Sequence, residues 1–229
     1  MVKNRIKNFI ALFFNIAIAF IIIVTVSSFF RKISYFSELD FCSKIGYNKL
    51  KVKGTDVLKY FTVDSNLFAA IACIAMIPEN IKVITGKQRY ISTPRLGLKY
   101  MATVALTVTM ITVTVYLVPT KGFAKAFSKR NLVLHLITPC MTLFSFFVLE
   151  NGFLRFYNTL MSLLPIIGYG LMYYYKVIYK GVWKDIYGFN KGGRWKLSVL
   201  VMAVGSCLIA LLLYGMQKLI NRKVKRTLY

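Results

Sequence analysis

Histidine is nearly absent from this chain: His135 is the only one in 229 residues, and the four cysteines, Cys42, Cys73, Cys140 and Cys207, share no Cys-x-x-Cys or Cys/His spacing. Neither a zinc site nor a disulfide framework has a basis in such a pattern, so no metal and no bound cofactor is expected. There is no Gly-x-Gly-x-x-Gly, no Walker-type lysine and no His-Glu-x-x-His, which removes nucleotide binding and metalloprotease chemistry from consideration. Pro/Ser/Gly-rich linkers, internal repeats and low-complexity tracts are missing too, so repeat-built transporter architectures find no support. No lysine lies between Leu197 and Gln217, which leaves the last apolar segment without a residue to carry a retinal Schiff base.

What fills the chain is apolar: hydrophobic residues make up 57% of it, against about 45 to 50% in an ordinary soluble domain. A bilayer core about 30 Å thick needs about 20 helical residues at about 1.5 Å each. Stretches of that length run from Phe9 to Phe30, Tyr60 to Ile84, Leu98 to Val118, Leu132 to Leu149, Tyr157 to Ile178 and Leu197 to Leu219. Their apolarity is continuous rather than alternating, which selects helices over a barrel. The expectation is all-α: a polytopic membrane protein, one domain over residues 1–229, built as a bundle of six transmembrane helices. The connections Arg31 to Lys59 and Tyr179 to Lys196 are long enough to cap a membrane face but too short for cores of their own. Lys3, Arg5 and Lys7 precede a first span longer than a signal-peptide h-region, so a retained signal anchor is expected.

Charge is one-sided, with 31 Lys and Arg against seven Asp and Glu, a formal net charge of +24. The basic residues occupy every loop rather than one helix or face, which favours anionic lipid headgroups over nucleic acid as the partner. Lys3, Arg5, Lys7, Lys87, Arg89, Arg95, Lys99, Arg155, Lys218 and the basic tail fall on the side of the termini. Lys44, Lys49, Lys51, Lys53, Lys121, Lys125, Lys129 and Arg130 fall opposite. Because the basic tail hugs the last span, the reading is a multi-pass cell-membrane protein with both termini cytoplasmic. The apolar surface is required by lipid in any case and names no protein partner.

Two polar clusters enter the apolar spans. The second span opens Tyr60-Phe61-Thr62-Val63-Asp64-Ser65-Asn66 and the fourth opens Leu132-Val133-Leu134-His135-Leu136-Ile137-Thr138-Pro139. In a serpentine bundle both start from the same face, so Thr62 and His135 share roughly one depth. Thr62, Ser65 and Asn66 stand at i, i+3 and i+4, on one helical face, and His135 with Thr138 and Pro139 repeats the spacing. Pro139 lacks the N–H that would bond the carbonyl of residue 135, which predicts a kink beside the histidine. One reading makes Thr62 a nucleophile and His135 its base, with Ser65 or Asn66 donating to a developing oxyanion. The other is that these side chains only hydrogen-bond between helices. Asp64 lies about 200° around the helix from Thr62, towards solvent or a loop lysine such as Lys59.

Tyr60-Phe61-Thr62 with Ser65-Asn66-Leu67, followed by Leu134-His135 and Pro139, resembles the androgen-induced six-span membrane family and its prokaryotic six-helix, rhodopsin-like relatives. The resemblance implies a six-helix membrane fold over the whole chain. In its animal members it implies hydrolysis of fatty acid esters of hydroxy fatty acids by an intramembrane threonine and histidine, roles that fall here on Thr62 and His135. The details sit closer to the prokaryotic branch. Asp64 and the pair Tyr187-Gly188, where the family pattern suggests Tyr-Pro, depart from it.

The remaining polar positions read blandly. Glu79, Asn80, Glu150 and Arg155 mark helix ends and surface ion pairs. Thr103, Thr107 and Thr114 line one side of the third span, where threonine can bond back to its own helix. Tyr173, Tyr174, Tyr175, Tyr179, Trp183 and Trp195 suit a headgroup belt or contact with a lipid-like molecule. The alternative function is a small-solute binding or transport subunit such as the substrate component of a vitamin-uptake system. Asn15 between Ala11 and Ala19 interrupts the small-residue face such subunits use.

Overall fold

The computed structural model describes residues 2–30 and 54–226. Cys42, the cations Lys44, Lys49, Lys51 and Lys53, and most of the expected cap between Arg31 and Lys59 lie outside them.

The described residues are helical throughout. Helix α1 spans Val2–Phe30, α2 spans Phe61–Ile84, α3 spans Thr93–Thr120, α4 spans Arg130–Leu149, α5 spans Leu164–Tyr173 and α6 spans Trp195–Arg226. Five helices, all but α5, are long and apolar enough to cross a membrane. The expected fifth span, 157–178, is instead broken: a short helix Tyr157–Met161, α5, and a π-helical turn Tyr174–Tyr179 follow one another. Pro165 near the start of α5 has no N–H to continue the preceding turn.

Polar and apolar residues are distributed as an apolar solvent demands. Asn8, Asn15, Asn66, Asn80, Lys99 and Thr103 have no exposed surface, while Phe13, Phe20 and Leu212 are 68%, 66% and 65% exposed. In water this arrangement would be inside out, whereas against lipid tails it is the stable one.

Packing rests on small residues. Ala69, Ala70, Ala72 and Cys73 of α2 are buried with Ile18 and Ile22 of α1 and Ala102 and Leu106 of α3. Without water to drive apolar burial, close backbone approach is what lets membrane helices gain dispersion contacts. A second cluster joins Met76, Leu96, Tyr100, Val104 and Phe146 to Ala210 and Leu213 of α6, and the Tyr100 hydroxyl donates to the Ala210 carbonyl at 2.5 Å.

The helix ends define two faces. At the first, the Asn4 side chain donates to Arg89 O at 2.7 Å, Lys7 reaches Val148 O at 3.2 Å, and Gln217 and Asn221 of α6 donate to Gly152 O at 3.2 and 2.7 Å. Gly152 has to be glycine, because a Cβ there would stand 2.9 Å from Ile91 O. At the second face the start of α2 meets the start of α4, α5 and the loop after α5, and the candidate site forms there.

Candidate functional site

The site begins with the entry to α2. Tyr60 is extended (φ −104°, ψ 121°) and its carbonyl accepts from Val63 N at 2.9 Å and Asp64 N at 3.2 Å, which starts the helix. Phe61 N–H, one of the donors every helix start leaves open, goes instead to the hydroxyl of Tyr187 at 2.9 Å. Thr62 is the next residue, and its face of the helix turns into the bundle.

His135 lies in a π-helical turn, Val133–Ile137, within α4. The kink expected at Pro139 takes this form. Thr138 N bonds Val133 O across five residues, and in that register the next donor, aimed at Leu134 O, would belong to Pro139, which has none. Asn66 Nδ2 takes the Leu134 carbonyl at 3.0 Å. The proline therefore opens an acceptor that α2 fills from across the interface.

Thr62 Oγ1 stands 3.3 Å from His135 Nε2, and His135 Nδ1 stands 2.7 Å from the Ala126 carbonyl. A carbonyl oxygen only accepts, so Nδ1 carries the ring proton and donates it to Ala126. Nε2 is then the unprotonated nitrogen, and it accepts from the threonine hydroxyl. Ala126 ends a single helical turn, Phe123–Ala126, that follows Gly122 at φ 84°. The chain then reverses through Lys129 at φ 42°, which brings Ala126 back over the histidine.

Around this pair, Asn66 Nδ2 also donates to Thr62 O at 2.7 Å, and Thr138 Oγ1 donates to Asn66 Oδ1 at 2.5 Å. Ser65 Oγ reaches Thr62 O at 3.2 Å and Thr109 Oγ1 at 3.0 Å. The structure thus gathers Thr62, Ser65, Asn66, His135 and Thr138 in one buried cluster. Both N–H groups of Asn66 are engaged by carbonyls, so Asn66 frames the site and has no donor free for an oxyanion. Asp64 stays apart from the pair, and Lys59 bridges to Asp56 at 2.5 Å.

Tyr187 is the member of this neighbourhood that carries no distinct sequence signal, since it sits in a loop among aromatics assigned to the headgroup zone. Its ring packs with Tyr169, Tyr173 and Phe189 at centroid distances of 6.4, 6.0 and 5.2 Å. Burial pushes its phenol up to about 12, opposed by hydrogen bonds with Tyr169, Phe61 and Thr62. The expected aromatic belt divides: Tyr175 stacks on Tyr179 at the surface, 5.8 Å apart, whereas Tyr173 turns inward and donates its hydroxyl to Asp185.

A second polar centre lies towards the first face, where surface ion pairs were expected. Lys99, counted from sequence among the flanking cations, is fully buried on α3. Its Nζ donates to Asn15 Oδ1 at 2.6 Å and Cys73 Sγ at 3.0 Å and lies 3.6 Å from Glu150 Oε1. Glu150 also accepts from Asn15 Nδ2 at 3.0 Å and Ser145 Oγ at 2.9 Å, so it does not pair with Arg155. Asn15 continues to Asn80 at 3.1 Å and Asn80 to Asn8 at 3.2 Å. Glu79 is likewise no surface group: it is buried and accepts from Lys82, Gln88 and Ser92 N. The cause is pairing, since each carboxylate gains donors from other elements that sequence distance conceals. By contrast, Thr103, Thr107 and Thr114 bond back to the carbonyls four residues earlier at 2.7 to 2.8 Å, and they form no conduit.

No family model matches the chain, and no curated protein or solved structure is significantly similar to it.

Proposed function

We propose that this is a six-span, multi-pass protein of the cell membrane, with cytoplasmic termini, that hydrolyses lipid esters with Thr62 as nucleophile and His135 as general base. The observation that carries the proposal is the tautomer: a carbonyl fixes the proton on His135 Nδ1, so the basic nitrogen faces the Thr62 hydroxyl at 3.3 Å. In the chemistry proposed, Thr62 Oγ attacks the ester carbonyl carbon as its proton passes to His135 Nε2, and the carbonyl electrons move to oxygen. Collapse of that intermediate expels the alcohol, which takes the proton from His135, and leaves an acyl ester on Thr62. Water, giving a proton to His135, then attacks the acyl carbon. Thr62 leaves and recovers its proton, and the fatty acid departs.

The sixth crossing in this reading is the broken segment 157–179. Its start lies near Gly97 of the first face, where Asn158 packs, and the Tyr169 hydroxyl donates to Lys59 O at the second face, 2.8 Å away. Against a docking subunit for solute uptake, Ala11, Asn15 and Ala19 are 0%, 0% and 5% exposed, so that face of α1 is occupied within the bundle. A surplus of lysine and arginine in the loops supports residence against anionic headgroups.

The test is labelling by a long-chain fluorophosphonate in native membranes. The wild type is expected to label, and Thr62→Ala and His135→Ala at matched expression are expected to lose it. A wild type that stays unlabelled beside a labelled animal member overturns the proposal, and copurification with an ATPase would put solute uptake in its place.

A further inference from the structure

Resting on the hydrolase reading, a gap remains in the site: an ester carbonyl attacked by Thr62 develops a negative oxygen, and a low-dielectric bundle must offer it a donor. Ser65 and Asn66, the side chains nearest in sequence, are turned to Thr62 O, Thr109 and Leu134 O. Val63 and Asp64 N–H are held by Tyr60 O. His135 Nε2 receives the nucleophile's proton and returns it to the leaving group, so its role is already taken.

One hydroxyl at the site is placed differently. Tyr187 oxygen accepts the Phe61 N–H at 2.9 Å and is hydrogen-bonded to the neighbouring Thr62 and Tyr169. A phenol oxygen that accepts from a backbone amide still has its own proton to give. The two resting acceptors within its reach are the neutral hydroxyls of Thr62 and Tyr169, and Tyr169 directs its own proton to Lys59 O at 2.8 Å. Once Thr62 oxygen is bonded to substrate, the oxyanion beside it is the strongest acceptor near that proton, because hydrogen bonds to a charged oxygen are about twice as strong as neutral ones. The Phe61 N–H, at the positive end of α2, polarises the phenol in the same sense.

We infer that Tyr187 is the third catalytic residue, its hydroxyl donating to the oxyanion formed at Thr62 while the Phe61 N–H and the aromatic packing of Tyr169, Tyr173 and Phe189 hold it in place. The substrate class follows from the same arrangement. The donor sits in a wall of rings rather than in a charged pocket, so the scissile ester is flanked by apolar groups, an acyl chain on at least one side.

The experiment is turnover of p-nitrophenyl decanoate, with fluorophosphonate labelling rates, for Tyr187→Phe in vesicles. The number of labelled sites at saturation normalises for folded enzyme. Loss of one oxyanion donor reduces kcat by about 10²- to 10³-fold, with KM within about threefold, since the interaction strengthens only in the transition state. Tyr173→Phe, which removes a hydroxyl from the same cluster but one bonded to Asp185, keeps kcat within about threefold. If Thr62→Ala is inactive while Tyr187→Phe keeps kcat, or loses activity only in step with its count of labelled sites, the assignment of Tyr187 is overturned and the hydrolase reading stands. If the wild type neither turns over ester nor labels, both fall.

Discussion

Lys99 and Glu150 meet inside the bundle with Nζ and Oε1 3.6 Å apart and neither side chain exposed. The pair joins α3 to the end of α4, and Asn15 ties both to α1. A charge held this deep is stable only with its partner, so the pair locks the register of three helices. Lys99→Met is expected to destabilise by about 3 to 5 kcal/mol, because it leaves a buried carboxylate uncompensated. Lys99→Met with Glu150→Gln is expected to recover most of that loss, since glutamine still accepts from Asn15 and Ser145. Unfolding midpoints in detergent, compared across the single and double variants, check the coupling. Additive losses would show that the two side chains act independently.

Replacing Pro139 by alanine restores an N–H to α4 beside the π-helical turn. The turn is expected to tighten to α-helical register, taking the Leu134 carbonyl from Asn66 and rotating His135 away from Thr62. Thermal stability should hold or rise, while the fluorophosphonate labelling rate falls more than tenfold. A labelling rate equal to wild type would mean that the turn does not set the histidine's direction.

Asn66→Leu removes the side chain that holds Thr62 O, Leu134 O and Thr138 together. The expected cost is about 1 to 3 kcal/mol for buried polar groups left without partners. Thr138→Val, which removes only one hydroxyl, is expected to cost about 1 kcal/mol. Chemical denaturation of the two variants gives the order, and a larger loss in Thr138→Val would contradict the framing role of Asn66.

Tyr187 gives the fold a pH dependence with a definite sign. Its phenol is raised from 10.0 to about 12 by burial, so the folded chain holds a proton that the unfolded chain releases first. The corresponding stability is fully present below about pH 10 and is lost as pH rises towards about 12, by up to about 2.7 kcal/mol at about 1.36 kcal/mol per pH unit. The difference in unfolding free energy between wild type and Tyr187→Phe, followed from pH 9 upward, should narrow over that window. A constant difference would place the phenol at its ordinary value.

The helices and the central cluster were legible because both rest on local rules. Run length and continuous apolarity announce a spanning helix, and i, i+3, i+4 spacing puts Thr62, Ser65 and Asn66 on one face whatever the tertiary structure. Pro139 announced a disturbance beside His135. Its form, a π-helical turn whose open carbonyl is filled by Asn66, depends on another helix and could not be read locally. The break at Ser162 and Leu163 was hidden because the segment keeps its apolarity through the interruption. Lys99 and Glu150 looked like flanking charges since each lies near a span end, and only the packing of α1 between them makes them a pair. Tyr187 was obscured by its company of aromatics, where a hydroxyl aimed at a helix start reads the same as one aimed at headgroups.

The partner that orients His135 is a main-chain carbonyl, that of Ala126. Every amino acid placed at position 126 brings the same oxygen, so no exchange of side chains can delete it. An alanine or deep mutational scan of the site would register Thr62 and His135 and pass over Ala126 as dispensable. Evolution, too, is free to vary the letter at that position while keeping the atom, and only an alteration of the backbone itself, such as an ester bond in place of the following amide, would expose its role.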